Sequence, residues 1–126
     1  MSANLRNRVY NSLRRRGISC EKNYPIHDKY GMTSLMDVAI LNDNGYPKAL
    51  VKCTRRTKQG TSDRLVFYHY EVMKKYGVPS FIMTEGRVEG YTDGVLSSLK
   101  QSCRSTPNME TGKYDAFLKW SKGFKR

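Results

Sequence analysis

Acidic residues are scarce in this chain of 126 residues: 11 Asp and Glu stand against 23 Lys and Arg, which leaves a net charge of +12. An excess of that size exceeds what solubility needs and suits a polyanion such as DNA, RNA or an anionic membrane. Cysteine is equally sparse. Cys20, Cys53 and Cys103 are odd in number, lie far apart and form no CxxC or Cys/His pair. Neither a disulfide framework nor a zinc centre is expected, and a reducing compartment is the simplest setting. No apolar run approaches the length that spans a bilayer, and the opening MSANLRNRVY holds no apolar signal region. The expectation is an intracellular protein (cytoplasm, nucleoid or nucleus) that is not secreted and has no membrane partner. With no repeat, low-complexity run or linker, the chain fits a single domain, 1–126, long enough to bury one core.

What is present in quantity is positive charge, and it is clustered. Arg6, Arg8, Arg14, Arg15 and Arg16 precede the first acid, Glu21. Lys48, Lys52, Arg55, Arg56, Lys58 and Arg64 form a second group, and the end of the chain carries Lys119, Lys122, Lys125 and Arg126. Ordinary solvated faces mix both signs, whereas these do not. The first group sits on a predicted helix over about residues 3–16. Ser2 is its candidate cap, Leu5, Val9 and Leu13 fall four apart, and Gly17 stops it. The short apolar stripe lacks the bulky anchors of a membrane-surface helix.

Residues 18–26 read as extended, followed by a polar loop from His27 to Ser34. Leu35–Leu41 and Tyr46–Thr54 are apolar runs joined by Asn42-Asp43-Asn44-Gly45. Asn-Gly predicts a two-residue hairpin turn. Consecutive apolar residues such as Val38-Ala39-Ile40 and Ala49-Leu50-Val51 predict strands covered on both faces. A second helix runs to about Tyr76, opened by Gly60-Thr61-Ser62-Asp63, with Thr61 or Ser62 as its cap and Gly77 as its stop. A core strand follows over Val78–Thr84. A third helix runs from a Thr92 cap through Leu99, residues 104–112 read as loop, and a last helix covers Tyr114–Lys122. The order is α-β-β-β-α-β-α-α, a mixed sheet with helices on its faces. The C-terminal helix and tail, from about 113, are basic.

If Asn44-Gly45 are the two turn residues, Asp37 lies directly opposite Lys52 on one face, and Thr54 shares that face. A turn centred on Asp43-Asn44 would instead set Asp37 against Leu50. The run Thr54-Arg55-Arg56-Thr57-Lys58-Gln59-Gly60 follows at once and combines bidentate guanidinium, ammonium and hydroxyl groups suited to phosphate.

The stretch Met36-Asp37-Val38-Ala39-Ile40-Leu41, the NDNG turn and Ala49-Leu50-Val51-Lys52-Cys53-Thr54 resembles the PD-(D/E)XK nuclease superfamily, the restriction-endonuclease-like fold. Residues 5–100 fit that family's order of elements, and individual residues match over about 36–86. The resemblance implies a strand acid, a second acid on the next strand, and a lysine two residues further on. The acids hold Mg²⁺, which activates water and stabilises charge on the phosphate. Asp37 matches the first acid. Lys52 stands in the place of the second acid, Thr54 stands in the place of the lysine, and Met36 replaces a proline. Some members draw a Glu from the first helix, where this chain offers only Asn4, Asn7 and Asn11.

An ammonium beside Asp37 repels a divalent cation, so no metal or other cofactor is expected, and an Asp37–Lys52 ion pair is expected instead. The leading reading is therefore a nucleic-acid-binding module, with DNA the favoured ligand, on a nuclease-like fold with a degenerate site. It would act as a homodimer or as a subunit of a larger complex. Its binding residues are Arg14, Arg15, Arg16, Arg55, Arg56, Lys58, Lys122 and Lys125. The first alternative is an active Mg²⁺-dependent endonuclease of restriction, homing or resolvase type. There Asp37 would still hold the metal, with relocated acids drawn from Asp63, Glu71 or Glu21 and His69 as a candidate base. The second is a scaffold whose basic surface meets an acidic protein. Tyr68, Tyr70 and Tyr76 fall on the second helix, where packing is the default and stacking on bases the alternative.

Overall fold

The computed structural model describes residues 2–27, 30–54, 61–84 and 93–124, and side chains over 5–27, 30–54, 66–84 and 94–124. The elements are α1 (Ser2–Arg15), β1 (Cys20–His27), β2 (Thr33–Leu41), β3 (Pro47–Thr54), α2 (Thr61–Tyr76), β4 (Ser80–Thr84), α3 (Asp93–Arg104), β5 (Met109–Gly112) and α4 (Tyr114–Ser121), with a 3₁₀ turn at Lys122–Phe124. The strands form one sheet in the order β1-β2-β3-β4-β5. β1, β2 and β3 pair antiparallel, and β4 and β5 join parallel to β3. Among the described residues no helix is long and apolar enough to cross a membrane.

Two hydrophobic layers sandwich the sheet. Leu5, Val9 and Leu13 of α1 and Phe117 of α4 pack on Val38, Ile40, Val51, Cys53 and Phe81. Val66, Tyr70 and Met73 of α2 and Leu99 and Cys103 of α3 pack on Ala39, Leu50 and Ile82 on the other side. This is why β2 and β3 carry consecutive apolar residues: each alternation still meets a helix. α1 ends as its sequence predicts. Gly17 adopts φ +75, which places Ile18 N–H on Leu13 O at 3.0 Å and Gly17 N–H on Arg14 O at 3.0 Å. The capping roles assigned to Ser2, Thr61, Ser62 and Thr92 lie outside the described side chains.

Two expectations need correction. Residues 104–112 are not all loop, because Met109–Gly112 form β5, beside β4 at the sheet edge. The full order is α-β-β-β-α-β-α-β-α. The β2–β3 turn is also not the two-residue Asn44-Gly45 type. Gly45 N–H donates to Asn42 O at 3.0 Å and Asn42 N–H to Tyr46 O at 2.8 Å, so three residues, Asp43, Asn44 and Gly45, form the loop. Gly45 takes φ +84, the left-handed third position that such loops require. Asn42 Oδ1 braces the loop by accepting from the backbone of Asn44 and Tyr46. A shift between Ile40 and Leu41 then restores the expected register: Leu41 faces Pro47, but Ile40 faces Ala49 and Val38 faces Val51. The register is as expected, although the turn that produces it is different.

At the level of Asn23 and Asp37 the inward parity of both strands reverses. In β2, Val38 and Ile40 face α1, whereas Met36, an even number of residues away, faces α2. In β1, Cys20 packs under α1, whereas Tyr24 and Ile26 pack on the α2 side. Asn23 sits at φ +55 there. Asn and Asp tolerate that conformation better than other non-glycine residues.

Candidate functional site

Asp37 lies at this reversal, where the β2–β3 ladder ends with Val38 opposite Val51. In β3, Leu50 N–H points to β4, bonding Pro79 O, so the N–H groups of odd-numbered residues point to β2. Cys53 N–H is the first without a β2 carbonyl, and the Asp37 carboxylate takes it: Oδ2 accepts at 2.7 Å. Asp37 is 7% exposed. Lys52 Nζ stands 3.6 Å from the same oxygen and donates to Leu35 O at 2.9 Å. Arg6 of α1 brings Nη1 to 3.9 Å from Oδ1. One carboxylate therefore faces two cations and a backbone N–H.

Arg6 was visible in the sequence only as one of five arginines. It neighbours inward-facing Leu5 and comes from the helix that supplies an acid in some members of the resembling family. Its Nε and the Nδ1 of His69 are buried and have no hydrogen-bond partner among the described residues. Burial lowers the His69 pKa from 6.5 to about 4, and the positive charge of Lys52 pushes it the same way. Neutral His69 is thus the form the fold accepts. Because the unfolded chain binds this proton more readily, stability is present above about pH 6.5 and falls as pH drops towards 4. His69→Leu is expected to flatten the acid limb of a stability–pH profile, and an unchanged limb would exclude His69 as its source.

The remaining candidates are scattered. Thr54 is buried, but its Oγ1 donates to Met83 O of β4 at 3.2 Å instead of joining Asp37. Glu21 is exposed on β1 opposite Ala39, and Glu71 is exposed on α2; among the described residues neither forms an ion pair. The side chain of Asp63 lies outside the described residues. Among the described residues no group of three or more His, Cys, Asp or Glu is disposed to hold a metal ion.

Of the basic candidates, Arg14 and Arg15 are exposed on α1, and Lys122 is exposed just past α4. Arg16 is already engaged: Nη2 donates to Ser121 Oγ at 2.7 Å and Nε to Ser12 O at 3.3 Å, tying α1 to α4. Arg55, Arg56, Lys58 and Lys125 lie outside the described residues. Tyr70 is a packing residue, buried with its hydroxyl donating to Ser102 O at 3.2 Å.

The mixed sheet, the hairpin acid and the helices on both faces define a nuclease-like α/β domain. The family model for the PD-(D/E)XK nuclease superfamily domain matches residues 3–125, and the chain belongs to that family. No curated protein and no solved structure matches it significantly.

Proposed function

We propose that this PD-(D/E)XK domain binds nucleic acid, with duplex DNA as its main ligand, and does not cleave it by a metal-dependent route. The observation that carries the reading is the clamp on Asp37. Mg²⁺ takes hard, negatively charged oxygen ligands at short range and in near-octahedral order. Here a single carboxylate already satisfies a backbone N–H on one oxygen and faces cations at 3.6 and 3.9 Å. That donor set does not fit a divalent cation, since Lys52 and Arg6 supply the positive charge that a metal would bring. The +12 charge supports a polyanion as ligand. α1 and α4 cover the same side of the sheet, and the exposed Arg14, Arg15 and Lys122 lie on or next to these helices. The domain would act as a subunit or accessory protein, in a compartment without secretion.

The test is direct. Purified protein is mixed with supercoiled plasmid and with linear duplex in Mg²⁺ or Mn²⁺. The expected result is a mobility shift of the duplex with no nicking or linearisation of the plasmid. Calorimetry with Mn²⁺ is expected to show no heat of site binding. Cleavage that disappears in Asp37→Ala would overturn the reading and favour relocated acids, with Asp63 then the first candidate. Replacing Arg55, Arg56 and Lys58 together by Ala is expected to weaken duplex binding to a similar degree for unrelated sequences, because phosphate contacts carry no sequence information. A triple variant that binds as tightly as the parent removes that segment from the interface.

A further inference from the structure

α2 presents a second stripe beside its core-facing one, the two sharing the buried Val72. Tyr68, Glu71, Val72, Lys75 and Tyr76 recur three and four residues apart and line one side of the helix. Across a cleft of about 580 Å³ stand His27, at the end of β1, and Tyr30, from the β1–β2 connection. Both walls are therefore aromatic, and two of the rings are held before any ligand arrives. Tyr68 Oη shares a 3.3 Å hydrogen bond with Ser34 Oγ, and His27 Nδ1 one of 3.0 Å with Thr33 Oγ1. Tyr68 and Tyr76 nevertheless remain 39% and 40% exposed. Pre-set rings lose little conformational freedom on binding, which makes them effective stacking platforms. Glu71 forms no ion pair among the described residues, although Lys75 lies one helical turn along.

We propose that this cleft receives a single unstacked nucleobase of a nucleic-acid strand, with guanine the preferred base. Aromatic faces stack on any base, and an unstacked base also exposes its Watson–Crick edge for hydrogen bonding. Guanine carries two adjacent donors on that edge, N1–H and N2–H₂, which match the two oxygens of Glu71. Lys75 is placed to take the neighbouring phosphate. The position in the fold favours a strand over a free ligand. Ser34, which holds Tyr68, adjoins Leu35, whose carbonyl holds Lys52. Backbone passing the Asp37–Lys52 position would therefore have the cleft beside it. The proposal rests on the nucleic-acid reading above and goes further by naming which nucleotide component is seated and where.

The test uses the full chain in three titrations: a dG-containing single strand against an oligo-dT strand, a matched duplex, and dGMP against dAMP followed by amide resonances over residues 68–76. Tyr76→Ala is expected to weaken binding of the dG-containing strand about 5- to 100-fold, the range for losing one stacked base, while duplex affinity changes less than about twofold. Glu71→Gln, which keeps the shape, is expected to abolish the preference for dG over dT. Equal losses on strand and duplex, or no loss in either variant, would overturn the cleft proposal while leaving duplex binding in place. Saturable dGMP binding without any strand preference would overturn the strand as the source of the base. Failure of duplex binding together with dGMP shifts confined to residues 68–76 and a dG strand preference would support the cleft and sink the duplex reading instead.

Discussion

Replacing Asp37 by Ala is expected to cost about 3–5 kcal/mol of unfolding free energy, the range for stripping one partner from a buried ion pair. Three groups lose their acceptor or counter-charge at once: Cys53 N–H, Lys52 and Arg6. The Lys52 and Arg6 side chains keep 17% and 27% exposure and can turn partly towards water, so the loss is expected near the lower end. Cys53 N–H cannot do the same, because it belongs to a buried residue of a central strand. Asp37→Asn retains an acceptor and is expected to lose less. The sign separates a structural acid from a catalytic one. Acids crowded to hold a metal repel one another, and removing one commonly stabilises the metal-free protein. Urea denaturation that places Asp37→Ala level with the parent, or above it, would refute the clamp.

Raising salt from 50 to 200 mM is expected to weaken duplex binding about 500-fold. The figure follows from about five phosphate contacts, each adding roughly 0.9 to the log–log slope for B-DNA. Exposed Arg14, Arg15 and Lys122 are the candidates among the described residues, whereas Arg16 is engaged by its bonds to Ser12 and Ser121. Arg16→Ala is accordingly expected to act on the α1–α4 junction and to change the slope little. A fluorescence-anisotropy series with a slope near zero would discard the phosphate interface and leave the basic surface for an acidic protein.

Much of the fold was legible because its signals are local. Leu5, Val9 and Leu13 at four-residue spacing, the double-sided apolar strands and the stops at Gly17 and Gly77 each state a rule that a single segment obeys. β5 was not legible: Met-Glu-Thr-Gly is four residues long, only Met109 is buried, and its pairing comes entirely from β4. The hairpin shows a subtler limit. Asn-Gly suggested the tightest turn, but Asn42 bracing two backbone N–H groups favours three loop residues. The bulge then cancels the difference, and Asp37 still meets Lys52. At the candidate site, the strand pair could be read from register alone. Arg6 could not, and His69 was legible only as a candidate base, because both arrive from helices whose placement over the sheet no periodicity encodes. Thr54 was assigned to the site by alternation, yet its hydroxyl found a carbonyl on the neighbouring strand first.

The reversal of parity at Asn23 and Asp37 has a mechanical consequence. A strand ordinarily acts as a partition, with one hydrophobic layer on each side along its whole length. β1 instead crosses like a stitch, with Cys20 beneath α1 and Ile26 on the α2 side, while β2 touches both layers over Val38–Leu41 and turns Met36 to the α2 side. Neither layer can be peeled from the sheet without pulling the thread of the other. The residue at the needle hole is Asp37, whose carboxylate closes the gap that the crossing leaves in the ladder. Removing that carboxylate would loosen the seam between the two layers, whatever chemistry the acid serves.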